Sequence, residues 1–157
     1  MKKIILLLLL LSSKAAFSQV DQSIVKFKNP SSVNAPNGYS HVVQVDLGNS
    51  TMLIISGQIA LDNKGNLVGK NDMAKQTEQA FLNIKSIVED AGGNMNNVVK
   101  LGYFVTDISQ IKAVRQVRDK FVNVQTPPAS TTVQVSKLVR DDLMIELEAT
   151  AIIPNKK

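Results

Sequence analysis

Pro127-Pro128-Ala129-Ser130-Thr131-Thr132 and, downstream, Ile145-Glu146-Leu147-Glu148-Ala149 end the chain in strands. The two prolines stop the segment before them, because proline has no N–H to donate and its ring clashes with a preceding helical turn. After them the period is two. Thr132, Gln134 and Ser136 fall on one side, opposite Val133 and Val135. In the last strand Leu143, Ile145, Leu147, Ala149 and Ala151 share a face opposite Met144, Glu146, Glu148 and Thr150. Glu146 and Glu148, two apart on a strand, point to one face about 7 Å from each other. Paired carboxylates suit acid–base work when one pKa is raised while the other group stays ionised. Two acids on a strand's solvated side are also ordinary.

Working upstream, Asp107 to Gln110 has the acceptor-x-x-Gln form of a capping box. Behind it Ile108, Ile111, Val114, Val117 and Phe121 line one helix face. Lys112, Arg115, Arg118 and Lys120 decorate the rest and read as a solvated face. Val98 to Val105 is a strand. Asp72 to Ala91 has helical period, with Met73, Thr77, Ala80, Phe81, Ile84, Ile87, Val88 and Ala91 at three- and four-residue steps. Gly92-Gly93 ends it with residues that accept positive φ. Tyr39 to Leu47 alternates and forms a hairpin with Met52 to Ile55 across the turn Gly48-Asn49-Ser50. The apolar run Met52 to Ile55 implies a strand covered on both faces. Ile24 to Phe27 is a short edge strand. Asn63-Lys64-Gly65-Asn66 is a further turn.

The order is strands, long helix, strand, helix, strands. That predicts an α+β single domain with a mixed sheet of about six strands and two helices on one face. The segment from Ile54 to Val105 needs a right-handed crossover if its strands pair in parallel. The other sheet face, expected to carry Thr132, Gln134 and Glu146 amid apolar neighbours, is left uncovered. Association with copies of the same chain would bury it.

Residues 1–18 read as a signal peptide. Lys2 and Lys3 precede the apolar run Ile4 to Leu11, and Ala16-Phe17-Ser18 places small residues two apart. The run is too short to span a bilayer as a stable helix, so no membrane span is expected to remain. A retained anchor is the alternative. Residues 19–157 form the mature domain, exported to the periplasm or secreted. The full chain has 18 basic and 13 acidic residues, net +5; losing Lys2, Lys3 and Lys14 leaves 15 against 13, net +2. No compact basic run with interleaved aromatics remains, so nucleic acid is not an expected partner. Zero cysteines and a single histidine exclude disulfides, thiolate nucleophiles and Cys- or His-rich metal sites.

Ser130 and Thr132 are nucleophiles only with a base in reach. The sole histidine, His41, makes a Ser-His-Glu set possible on paper, but no nucleophile elbow supports it. A lone histidine on a half-apolar strand is more often structural. Gly65-Asn66-Leu67-Val68-Gly69 lacks the fingerprint of a phosphate loop.

Several separated stretches resemble the RidA (YjgF-type) imine/enamine deaminase family. They are Asn34-Ala35-Pro36 with Gly38-Tyr39-Ser40; Ile55-Ser56-Gly57-Gln58-Ile59; Gln79 to Gly92; Lys100 to Asp107; Pro128-Ala129; and Ile145-Glu146-Leu147-Glu148-Ala149. The likeness runs from about Ile24 to Ile153. It implies a chorismate-mutase-like homotrimer, with three sheets around a central barrel and small-molecule clefts at subunit interfaces. It implies hydrolysis of imines or enamines to carbonyl compounds and ammonia, without metal or organic cofactor. Glu146 matches the water-positioning glutamate and Tyr39 the cleft tyrosine, with His41 competing for that place in an alignment anchored on Val45-Asp46-Leu47-Gly48-Asn49. Gly57 matches the glycine beside the ligand. Thr132 stands where many members carry cysteine. Ser130 stands where the family carries an arginine that grips the substrate's carboxylate. The usual 2-imino acid activity is therefore expected to be weak or lost. The alternative is a non-catalytic trimer that binds a small molecule or a partner.

Overall fold

The computed structural model describes residues 24–155. The expected leader, residues 1–18, lies outside them. The apolar stripe over Asp72–Ala91 becomes α1 (Met73–Asp90). Asp72 caps its first turn, accepting from the Lys75 N–H at 3.0 Å. Gly92, at φ 85°, turns the chain out of the helix. The Gly92 N–H donates to Glu89 O and the Gly93 N–H to Val88 O, the two bonds of a Schellman motif. The capping box foreseen at Asp107 takes another form. Its carboxylate accepts from the Ser109 N–H and from the Gln110 side chain, opening a 3₁₀ turn (Ile108–Gln110) that leads into α2 (Ile111–Arg118).

Six strands form one mixed sheet: β1 (Val25–Lys28), β2 (Val42–Asp46), β3 (Ser50–Ile59), β4 (Val98–Val105), β5 (Ala129–Gln134) and β6 (Ile145–Pro154). Their order is β1-β2-β3-β6-β4-β5. β6 runs antiparallel to both β3 and β4, and β5 runs parallel to β4. The condition attached to the first crossover is not met: β3 and β4 run parallel but β6 lies between them. Both β3 and β6 have ten residues, so pairing them satisfies the longest run of backbone groups. Parallel neighbours occur instead at β4–α2–β5.

Both helices cover one face. Phe81, Ile84, Ile87 and Val88 of α1 pack on Leu53, Ile55, Leu101, Ile145 and Leu147, all buried. Phe121, just past α2, stacks on Phe81 with ring centroids 4.9 Å apart and ties the second helix to the first.

Register decides which side chains share the opposite face. Glu146 sits across from Phe104, and Glu148 from Gly102; on the other side of β4, Val133 and Thr131 are opposite the same two residues. These form the open face, together with Ile54, which is 48% exposed. Ser130, Thr132 and Gln134 pair with Leu101, Tyr103 and Val105, and so belong to the helix side. This corrects the expectation that Thr132 and Gln134 accompany Glu146. The alternation in β5 is as predicted, but every residue of this edge strand is exposed, so its hydropathy does not mark the face. The apolar run Met52–Ile55 is likewise covered on one side only, by burial of Leu53 and Ile55.

Candidate functional site

Two buried amides on α1 prepare the site. Asn83 donates to the carbonyls of Ile59 and Leu61, each at 3.0 Å, and holds the exit of β3. Gln76 donates to the carbonyls of Gly69 and Asp142 and accepts from the Met144 N–H at 2.7 Å, which holds the entrance of β6. The two strand ends carry Gly57 and Glu146.

Between Ile55 and Gln58 the pairing of β3 with β6 shifts register. Ser56 stabilises the irregularity, with its N–H on His41 O at 2.9 Å and its hydroxyl on Ser40 O at 2.7 Å. The shift turns Gln58 into the core and leaves Gly57 on the open face. A β-carbon at position 57 would collide with the Glu146 carboxyl, 2.7 Å from Cδ and on top of Oε1. Glycine is therefore what lets the carboxyl lie flat against the backbone here.

Tyr39 enters from the loop before β2. Its ring meets His41 edge-on, centroids 5.2 Å apart and planes at 80°. His41 is buried between the Asn34 carbonyl, 2.7 Å from Nε2, and the Gln58 amide, 3.2 Å from Nδ1. With the Gln58 amide nitrogen as the donor, the ring accepts at Nδ1 and donates through Nε2. The two residues thus divide the role left open in the sequence: Tyr39 lines the cleft, and His41 is the structural prop behind it.

The resulting cleft has a volume of about 310 Å³ and is lined by Tyr39, Ser56, Gly57, Ile59, Val139 and Glu146. It sits at the lower end of small-molecule pockets, about 300–1,000 Å³. Burial pushes the Glu146 carboxyl above its ordinary value, and the Glu148 charge adds to the effect. Burial also raises Tyr39, with a smaller contribution from the charge of Glu146. A half-desolvated carboxylate next to a protonated phenol can accept a proton from water and hold that water by a second hydrogen bond.

Of the predicted residues, one chain brings together Tyr39, Gly57 and Glu146. Ser130 and Thr132 line a separate groove on the helix side. Counting along the register, Ser130 lies two strands over and three residues along from Glu146, about 10 Å in each direction. Lys137 and Arg140, the cations nearest in sequence, are engaged in their own loop: Lys137 with Asp141 at 2.8 Å and Arg140 with Asp142 through two bonds. Val139, between them, is 77% exposed and forms one wall of the cleft. It is not among the residues that the sequence singles out; the available signal is the apolar pair Leu138-Val139 amid charged loop residues. Among the described residues, no group of three or more His, Cys, Asp or Glu side chains could hold a metal ion. No helix among them is long and apolar enough to cross a membrane.

A sequence profile for the family described as Endoribonuclease L-PSP matches residues 29–153. The 2-iminobutanoate/2-iminopropanoate deaminase of Salmonella typhimurium is 38% identical over 122 residues, 76% of this chain and 92% of that protein. The chain belongs to the RidA (YjgF-type) family. RidA from the Antarctic bacterium Psychrobacter superposes with a TM-score of 0.71 at 32% identity, covering 82% of this chain and 99% of that one. The YjgF gene product of Escherichia coli superposes with a TM-score of 0.69 at 34% identity, covering 81% and 98%. The mixed six-stranded sheet with two helices on one face is therefore the RidA fold, as the sequence resemblance implied.

Proposed function

We propose that this chain is an exported RidA-family hydrolase that converts a small imine or enamine to the carbonyl compound and ammonia. One observation carries the reading: the Glu146 carboxyl, lifted by burial and by Glu148, lies over Gly57 beside Tyr39 in a cleft of small-molecule size. Glu146 takes a proton from a water held against Tyr39 as the water oxygen attacks the carbon of a protonated C=N group. Glu146 passes that proton to the nitrogen of the carbinolamine. The C–N bond then breaks as the hydroxyl gives its proton to Glu146, and the departing ammonia carries that proton away as ammonium, which restores the carboxylate. The Gly57 backbone, freed from pairing with β6, faces the ligand. The deaminase named among the relatives supports this reaction class. Within one chain the cleft lining holds one carboxylate and no cation.

The working unit is a homotrimer, in which the half-bare sheet face is covered by other copies and β5 of one subunit approaches the cleft of the next. Ile54 at 48% and Val133 at 40% exposure support that burial. Ser130 stands in the carboxylate-gripping position. Without a charge-assisted clamp, binding of a 2-imino acid weakens by about 1.5–3 kcal/mol, about 10- to 150-fold. Native activity on 2-imino acids is accordingly weak. Residues 1–18 direct export, which places the protein away from cytoplasmic amino-acid metabolism. The same serine favours a second reading, a non-catalytic trimer that binds a small molecule or partner.

The test is to incubate residues 19–157 with freshly generated 2-iminobutanoate and follow ammonia release. A rate above the spontaneous one, abolished in Glu146→Gln and raised in Ser130→Arg, is expected. No acceleration by the wild type or by Ser130→Arg would favour the binder.

A further inference from the structure

The groove between α2 and β5 is the feature that the reading above leaves unused. It is lined by Tyr103, Arg115, Arg118, Ser130 and Thr132, with Ile111 and Val114 beneath. Its volume is about 70 Å³. At about 30 Å³ per water, that is room for an ionic head group and not for a whole metabolite. A serine at position 130 leaves open the space that a longer side chain would fill.

Tyr103 is 4% exposed, yet its hydroxyl has no hydrogen-bond partner. A buried hydroxyl without a partner is costly, and such groups in native proteins call for an explanation. Burial pushes this phenol up to about 12, so it stays a protonated donor; Arg118 opposes the shift and Asp119 adds to it. Arg118 is already bound to the Asp119 carboxylate through Nε and Nη2, at 2.9 and 2.6 Å. Arg115, three residues earlier in the same last helical turn, is exposed and makes no ion pair among the described residues. The polar groups lining the groove are two guanidiniums, a phenol and two hydroxyls. All of them can donate, and none carries negative charge. Such a set suits a carboxylate.

We propose that Arg115, in one groove with Ser130, supplies to a substrate carboxylate the positive charge that Ser130 does not. The proposal rests on the imine-hydrolase reading and on one subunit presenting the groove to its neighbour's cleft. A single exposed cation that must be ordered on binding keeps a preference for acids over neutral analogues, while activity on 2-imino acids stays below that of a site with a preformed arginine clamp. The cation comes from the helix instead of the strand, as a single exposed side chain that must be ordered on binding. Tyr103 and the Ser130 and Thr132 hydroxyls complete the shell around the carboxylate oxygens.

Titration calorimetry on residues 19–157 tests this with 2-oxobutanoate and its methyl ester, which share a carbon chain and differ in charge. The wild type should bind the acid at least about 10-fold more tightly than the ester. Arg115→Gln should weaken acid binding by about 10-fold and leave the ester unchanged, and Arg115→Lys should restore part of the difference. Arg115 is exposed, so the fold is not at stake. Equal acid binding in wild type and Arg115→Gln overturns the proposal. So does an equal loss for acid and ester, or a wild type with no preference for the acid. Acid-selective binding without imine hydrolysis would sink the reaction and leave Arg115 its role. Hydrolysis with acid binding indifferent to Arg115 would do the reverse.

Discussion

The Glu146 carboxyl occupies the space that a β-carbon on residue 57 would need. Gly57 and Glu146 come from neighbouring strands, and the register shift in β3 sets them face to face. Gly57→Ala therefore pushes the carboxyl aside. The displaced atoms are the far end of a flexible side chain, so the fold should tolerate the change with little loss of stability. Catalysis should not: a displacement of about 1 Å at a reacting group costs about 100-fold. Paired melting and imine-hydrolysis measurements on Gly57→Ala check this. A variant as active as wild type would show that the carboxyl position is immaterial.

A second prediction concerns pH. Burial first, and Glu148 second, raise the Glu146 carboxyl. A group whose folded pKa exceeds its unfolded one contributes stability fully below the unfolded value and loses it as pH rises through the folded one. Glu146→Gln should thus raise Tm at pH 7 relative to wild type, and the gain should shrink toward pH 4. In the proposed mechanism the active form is the carboxylate, so the acidic limb of kcat/KM should lie above the usual carboxylate range. Glu148→Gln removes the like charge and should move that limb down, leaving it elevated because burial remains. A limb unmoved in Glu148→Gln would show that Glu148 is screened from the site.

Much of this arrangement is legible in the residues. Seven apolar positions and Thr77 at helical steps, with a terminal Gly-Gly, predict α1 with both its ends. The alternation around Glu146 predicts β6, and the Ser-Gly-Gln motif marks the cleft. Three things are not legible, each for a physical reason. The face to which Ser130 and Thr132 turn depends on pairing with β4, because an exposed edge strand carries no hydropathy contrast. The insertion of β6 between β3 and β4 is a long-range choice that local period does not encode. Arg115 looks like any solvated helix cation until Tyr103, buried from another strand, is found beneath the same groove.

Gln76 offers a stability test at a distance from the chemistry. Its amide bridges Gly69 O, Asp142 O and the Met144 N–H, which fastens the start of β6 to α1. Gln76→Ala leaves those groups without partners in a dry place and should cost about 2–3 kcal/mol, about 10 °C in Tm. Gln76→Glu should be no better. It keeps the acceptor for Met144 but turns a carboxylate oxygen toward two carbonyls. Denaturant melts of both variants check this. A Glu variant as stable as wild type would mean that the amide donors contribute nothing.

The open face makes the last prediction. Ile54 pairs with Val43 and Thr150 in the middle of the sheet, yet it is 48% exposed in a single chain. If copies pack on that face, Ile54→Asp would bury a carboxylate without a partner at each contact, at a cost of several kcal/mol. The substitution should leave the circular dichroism spectrum of the folded chain unchanged, because the side chain lies outside the chain's own core. Sedimentation of residues 19–157 should then show a trimer for wild type and a monomer for the variant. Imine hydrolysis should fall with it, since Glu146 of one copy would lose the groove that carries Arg115 in the next. A wild type that sediments as a monomer, or an Asp variant that stays trimeric, would place the subunit contact elsewhere.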